Sequence, residues 1–158
     1  MFFGKKIESV IKEIGSKIDQ SDEDSYVESL LKLPCHERAL LGTIILQIEV
    51  ENGGFDQFFW NLEDERFYKI VRDSLILIHA LSFLELYDQA YNMIKPHLND
   101  MHAWQGENDR FEKFKPMLIE NGLYKKFRNL SSSFYQLNPN LDKLRRDFYR
   151  RNKKLFKN

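Results

Sequence analysis

Apolar residues recur along this chain every three to four positions, the spacing that gathers them on one face of a helix. Ile7, Val10, Ile11, Ile14 and Ile18 follow it within residues 5–18, with polar residues in the gaps, and predict a short, peripheral first helix over residues 1–20. Tyr26, Val27, Leu30 and Leu31 mark a second, led by Ser21-Asp22-Glu23-Asp24 as cap and acidic first turn. Acidic groups suit a helix N-terminus because its unpaired amides carry partial positive charge. Pro34, well placed at a helix start, opens a third helix over about 35–51. There Leu40, Leu41, Ile44, Ile45 and Ile48 share one broad face while Leu46 and Val50 lie opposite, so this helix is expected to be central and covered twice.

The most distinctive stretch follows: Glu51-Asn52-Gly53-Gly54-Phe55-Asp56-Gln57-Phe58-Phe59-Trp60-Asn61. Either glycine can take the left-handed conformation that ends a helix. Phe55, Phe58 and Phe59 then recur at i, i+3, i+4 and predict a short helix with its rings turned inward, while Trp60 leaves that stripe for a more exposed place. Glu51 projects onto the face of Leu40 and Ile44, where a carboxylate needs partners. The amides and polar side chains just after the glycines are the expected ones, with Gln57 and Asn61 tying the bend together. Glu51, Gly53, Gly54, Phe55, Gln57, Phe58 and Asn61 thus read as a structural corner.

Downstream, Phe67, Ile70, Val71, Ser74, Leu77, Ile78 and Leu81 form the stripe of a helix over Glu63 to Leu81, with Lys69, Arg72 and His79 outside it. Ser82-Phe83-Leu84-Glu85 reads as a capping box for a helix towards Ile94, which Pro96 stops or kinks. Residues 97–108 are polar and predict a loop. Asn108 would cap a helix carrying Phe111 and Phe114, which Pro116 kinks or ends. Leu123, Phe127, Leu130 and Phe134 mark the next helix, Asn138-Pro139-Asn140 a turn, and Leu141, Leu144, Phe148 and Leu155 the inner face of a final helix. With no strand-like alternation of useful length and no repeat, the fold class is all-α, a single compact domain of about six to eight helices over residues 1–158.

Composition agrees. At 158 residues with 42% hydrophobic residues, the chain has the length and the apolar content for one core without disulfide staples. One cysteine, Cys35, excludes an internal disulfide and a CxxC metal site. The start Met1-Phe2-Phe3-Gly4-Lys5-Lys6 lacks the apolar run of a signal peptide, and the longest apolar run, Leu75 to Leu81, is far too short to cross a bilayer. A cytoplasmic location without membrane attachment is expected.

Charge changes the picture more. Lys+Arg and Asp+Glu both number 24, yet residues 19–65 hold twelve acids against two bases, −10, and residues 125–158 eleven bases against two acids, +9. The chain is dipolar. Asp22, Glu23, Asp24, Glu63, Asp64 and Glu65 are the candidate acidic recognition surface. Lys143, Arg146, Arg150, Lys153 and Lys154 gather on the outer face of the last helix, where Asp142 and Asp147 are spaced to pair with Arg146 and Arg151. This face could meet phosphates, or answer the acidic half within one molecule or in a homodimer.

Catalytic patterns are weak. Cys35-His36-Glu37 are neighbours in a helix, point about 100° apart and form no triad. His97 and His102, with Asp100 between, lack a metal-site spacing, and His79 reads as a surface histidine. Glu49, Glu51 and Asp56 could do acid–base work or hold a cation, which leaves a metal-dependent enzyme at Glu51/Asp56 as a minor alternative. Asn52-Gly53-Gly54 has no strand before it and no Gly-Lys-Ser/Thr after it, so it is no phosphate loop. No catalytic residue, metal or cofactor is assigned.

The Glu51–Asn61 stretch, the preceding Leu33-Pro34 and helix, and the late Leu141-Asp142-Lys143-Leu144-Arg145-Arg146-Asp147-Phe148-Tyr149 segment together resemble a family of small helical bacterial domains named after a DNA-mimic protein. The likeness extends over residues 25–156. It implies an all-α fold, no known enzymatic activity, and imitation of DNA charge to capture a DNA-binding protein. A mimic needs dense surface acid; this chain is neutral overall with a basic C-terminal helix, so mimicry attaches to residues 19–65 alone. The reading is a non-enzymatic protein-binding domain engaging a basic or DNA-binding protein through its acidic half. The alternative is a nucleic-acid or anionic-surface binder using the basic helix.

Overall fold

The helical spacing is realised along the chain. The computed structural model describes residues 3–156, with side chains from Ile7 onward. Met1 and Phe2, where the run read against a signal peptide begins, lie outside the described residues. Among the described residues there are eight α-helices of ten residues or more and no strand. The fold is all-α. Packing divides the described chain into two compact units. One takes the chain to Gln47, then Asp64–Leu81, then Asn138 onward; the other takes Ile48–Glu63 and Ser82–Leu137.

The first unit contains α1 (Phe3–Gly15), α2 (Glu23–Lys32), the first part of α3 (Cys35–Asn61), α4 (Glu65–Leu77) and α9 (Leu141–Arg151). Ile7 and Ile14 of the expected stripe are buried on α1. Asp22 caps α2, its carboxylate accepting from the Ser25 amide at 2.8 Å. Asp64 caps α4 through the Arg66 amide at 2.8 Å, so that helix starts later than Glu63. It also ends earlier than Leu81. The Ala80 amide closes back on the Leu75 carbonyl at 2.9 Å, and His79 turns the chain at φ 60°. The break releases Leu77 and Leu81 from the predicted stripe to solvent, while Leu75 is fully buried.

Two contacts fix α3 here. A Cβ on Gly42 would stand 2.6 Å from Ser74 Oγ, so α3 and α4 touch where both residues are small. Arg145 of α9 is buried and donates to the Thr43 carbonyl at 3.3 Å and to Gln47 Oε1 at 2.6 Å. The sequence pattern singled out Leu144 on this helix, not Arg145. Leu155, assigned to the same inner face, is exposed because α9 ends at Arg151. Replacing Arg145 with methionine is expected to destabilise the protein by about 2–3 kcal/mol in urea unfolding, because buried acceptors lose their donor. The same change at Arg146, a partly exposed neighbour paired with Asp142, should stay within about 0.5 kcal/mol.

The second unit contains the rest of α3, α5 (Leu81–Ile94, from Ser82), α6 (Leu98–Ala103), α7 (Arg110–Glu120) and α8 (Leu123–Gln136). Phe55, Phe58 and Phe59 are fully buried, as their spacing predicts. Phe58 meets Phe59 at 5.0 Å and Tyr87 at 5.9 Å, and Phe55 meets Phe134 at 5.7 Å, all edge-on, the arrangement ring quadrupoles favour.

Three expectations fail in this unit. Much of the predicted 97–108 loop is helical, because Leu98 and Met101, three apart, both bury. Ser82 lies inside α5 rather than before it. Asn108 gives way to Asp109 at the start of α7, and Pro116 sits within that helix, which continues to Glu120.

Candidate functional site: a groove at the glycine corner

Gly54 carries φ 92° and ψ −179° inside α3, a region open essentially to glycine. A Cβ there would also lie 2.8 Å from Asp56 Oδ1 and 2.9 Å from Ser131 Oγ. The break strands backbone groups, and α8 receives two of them. The Phe55 amide donates to Ser131 Oγ at 3.0 Å, and the Tyr135 hydroxyl donates to the Val50 carbonyl at 2.5 Å. Gly53 is crowded for a different reason: a Cβ on it would fall 2.0 Å from Gln57 Oε1, which folds over it.

Glu49 supplies a carboxylate that ties the corner. Its Oε2 accepts from Gln57 Nε2 at 3.1 Å and Asn61 Nδ2 at 2.8 Å. Glu51, expected in the core, is exposed, as is Ile48, half open at 51%. The helical projection assumed that the Leu40–Ile44 face stays covered to the end of the segment. Cover ends before Ile48, and the corner takes the acid one turn from the break. Gln57 and Asn61 do tie the bend, as expected.

Because both carboxamides give their N–H groups to Glu49, their carbonyl oxygens are left as acceptors, and no donor reaches them among the described residues. Gln57 and Asn61 line a groove of about 460 Å³ in this unit, together with Asp56 and Lys115. Its aromatic walls are Trp60, Phe111, Phe114 and Tyr124. Trp60 packs on Phe114 at 4.8 Å and Phe111 at 5.7 Å, and the Arg110 guanidinium covers its ring at 4.1 Å. Phe111 is 62% exposed at the rim. Burial pushes the Asp56 carboxyl above its ordinary range, partly offset by the Asp56 and Gln57 amides and by Arg128. Burial likewise raises the Tyr135 hydroxyl, with the charges of Glu51 and Asp56 adding to it. Sequence reasoning treated the corner as architecture and missed the groove, whose far wall comes from α7 and α8 more than fifty residues on. The departure of Trp60 from the stripe was the available signal.

The sequence-chosen charges lie elsewhere. Glu63, assigned to the acidic surface, is buried. It accepts from Arg110 and from Gln105 Nε2 at 3.2 Å, and its own carbonyl meets the His102 ring at 2.8 Å. Nothing local announces these partners, since all come from about forty residues on. Arg66 draws in Asp24 at 2.6 Å, Glu28 at 2.9 Å and Asp64 at 2.5 Å. Burial alone would raise the Asp64 carboxyl, but Arg66 and its amide hold it below the ordinary value, and the Ser25 amide does the same for Asp22. Glu23 and Glu65 are exposed.

On α9 the basic residues form a ladder of ion pairs. Lys143 reaches Asp147 at 2.7 Å, Arg146 reaches Asp142 at 2.9 Å, and Arg150 also takes Asp147, which thus serves Lys143 and Arg150 rather than Arg151. Lys143, then Arg150, hold the Asp147 carboxyl low. Lys153 and Lys154 follow in a 3-10 turn, Lys154 exposed. Cys35, His36 and Glu37 disperse. Cys35 is free and exposed, His36 meets Phe156 edge-on at 4.7 Å, and Glu37 binds Lys17 at 3.1 Å.

The chain is all-helical, broken at Gly54, with an aromatic groove beside that break. The chain belongs to the DMP19-like protein family, which matches it over residues 31–152 and so takes in the corner, the groove and α9. No curated protein and no solved structure matches it. No helix among the described residues is long and apolar enough to cross a membrane.

Proposed function

We propose that this chain is a non-enzymatic protein-binding domain that engages its partner through the groove beside Gly53–Asn61. The observation that carries it is the groove's composition: aromatic walls with an exposed rim at Phe111, and polar acceptors whose orientation Glu49 fixes. Rigid aromatics beside a few placed polar groups are what recognition sites use. The groove brings together one carboxylate, two carboxamides and an ammonium, with no histidine or cysteine, which favours binding over covalent or proton-transfer chemistry.

The acidic half is the weaker surface for a basic partner. Its acids cap helices at Asp22 and Asp64, converge on Arg66, or lie buried at Glu63. DNA-like charge needs acid free to face outward. Nor does the α9 ladder favour a phosphate surface, since its cations are engaged along the helix.

A photo-crosslinking amino acid placed at Phe111, and separately at Glu23, tests this in the native host. The expected result is a discrete protein adduct from position 111 and none from position 23. Adducts from position 23 alone would return recognition to the acidic half, and a nucleic-acid adduct at 111 would overturn the protein-binding reading.

A further inference from the structure

We infer that the groove takes an arginine side chain presented by the partner, an inference that rests on reading the groove as the docking site. The residues lining the groove include acceptor-bearing Asp56, Gln57 and Asn61. The orientation of the two amides is set by chemistry, since a carboxylate accepts only from their N–H groups, and Glu49 lies 3.1 and 2.8 Å away. The same lining holds the rings of Phe111 and Tyr124, beside Trp60, whose own ring already carries Arg110 and Phe114. Acceptors and π-faces lining one groove suit a planar cation with several donors. A guanidinium meets both demands: its flat face stacks and its edge donates in a fork, where an ammonium offers only a compact point charge.

The chain uses the same chemistry internally next door. Arg110 stacks 4.1 Å from the Trp60 ring while donating to the Trp60 carbonyl at 2.7 Å and to Glu63. One cation lines the groove and a second lies near it. Lys115 lines it with its ammonium 5.9 Å from the Tyr124 ring, and Arg128, also 5.9 Å from that ring, acts on Asp56. Lys115 is exposed and its stem is flexible, so it can swing aside at a modest loss of affinity. Removing it should therefore tighten binding.

Selection of random heptapeptides displayed against the full chain tests this, followed by titration of the recovered peptides. The expected result is an arginine at one fixed position. Changing it to lysine, or Asp56→Asn in the protein, should weaken binding about tenfold, while Lys115→Ala tightens it about threefold. Thermal melts of both variants show that they fold. Peptides that lose binding on Phe111→Ala yet carry no fixed arginine, or an acidic consensus with both signs reversed, would overturn the inference and leave the docking site standing. If no recovered peptide depends on Phe111, the docking reading fails and the inference with it.

Discussion

Replacing Gly54 with alanine is expected to destabilise the protein by about 3–4 kcal/mol and to lower Tm by roughly 10 °C. Two effects add. At φ 92° and ψ −179° a side chain is strained whatever space it finds. The new methyl would also press on Asp56 and on Ser131, which is buried and already holds the Phe55 amide and the Phe127 carbonyl. Gly53 is the control. Its backbone is helical, where alanine is favoured by about 1 kcal/mol, and its clash is with the Gln57 side chain, whose Oε1 and Cδ can turn away while its Cβ, 2.9 Å off, must give slightly. Gly53→Ala should stay within about 1 kcal/mol of the natural protein. Equal losses at both positions would show that the corner is not forced by Gly54.

Glu63→Ala is expected to destabilise by about 3 kcal/mol in urea unfolding, because it removes one member of a buried pair. Arg110 would keep its place over Trp60 and lose its carboxylate, and Gln105 would lose its acceptor. Glu65→Ala, two residues on and exposed, should change stability by less than about 0.5 kcal/mol. These two acids are indistinguishable by local charge count, so the contrast measures what the fold adds to the sequence. Near-equal effects would place Glu63 back on the surface.

Periodicity made the helices legible because each needs only its own residues to reveal a buried face. Phe55, Phe58 and Phe59 could be placed inward from their spacing alone, and Asp22 could be placed at a helix start from its position before an apolar run. Errors cluster where a distant segment decides. Arg145 is buried because Thr43 and Gln47, about a hundred residues earlier, accept from it. Glu51 was put in the core because a projection continues a face indefinitely, while cover ends before Ile48. Half the groove was readable as an odd tryptophan and two carboxamides. Its other half needed α7 and α8 brought against the corner, which no spacing rule supplies. The charge asymmetry was real as a count, but Glu63 leaves the surface because Arg110, outside the acidic window, draws it in, while Arg66 pairs with exposed Asp24 and Glu28.

The claim at the centre is that the corner is a binding site as well as a bend, and Asp56→Asn separates the two. Burial raises the folded-state value of this carboxyl above 3.8. Its contribution to stability is therefore complete below 3.8 and is lost as pH rises through the raised value, so the ionised form is a small liability at pH 7. The measurement pairs thermal melts from pH 3 to 7 with affinity for the partner trapped at Phe111. The expected result is a variant slightly more stable at pH 7, by about 1–2 °C, with the gain vanishing below 3.8, while affinity falls about tenfold. Unchanged affinity, or affinity lost together with stability, would contradict it and leave Asp56 only a part of the bend.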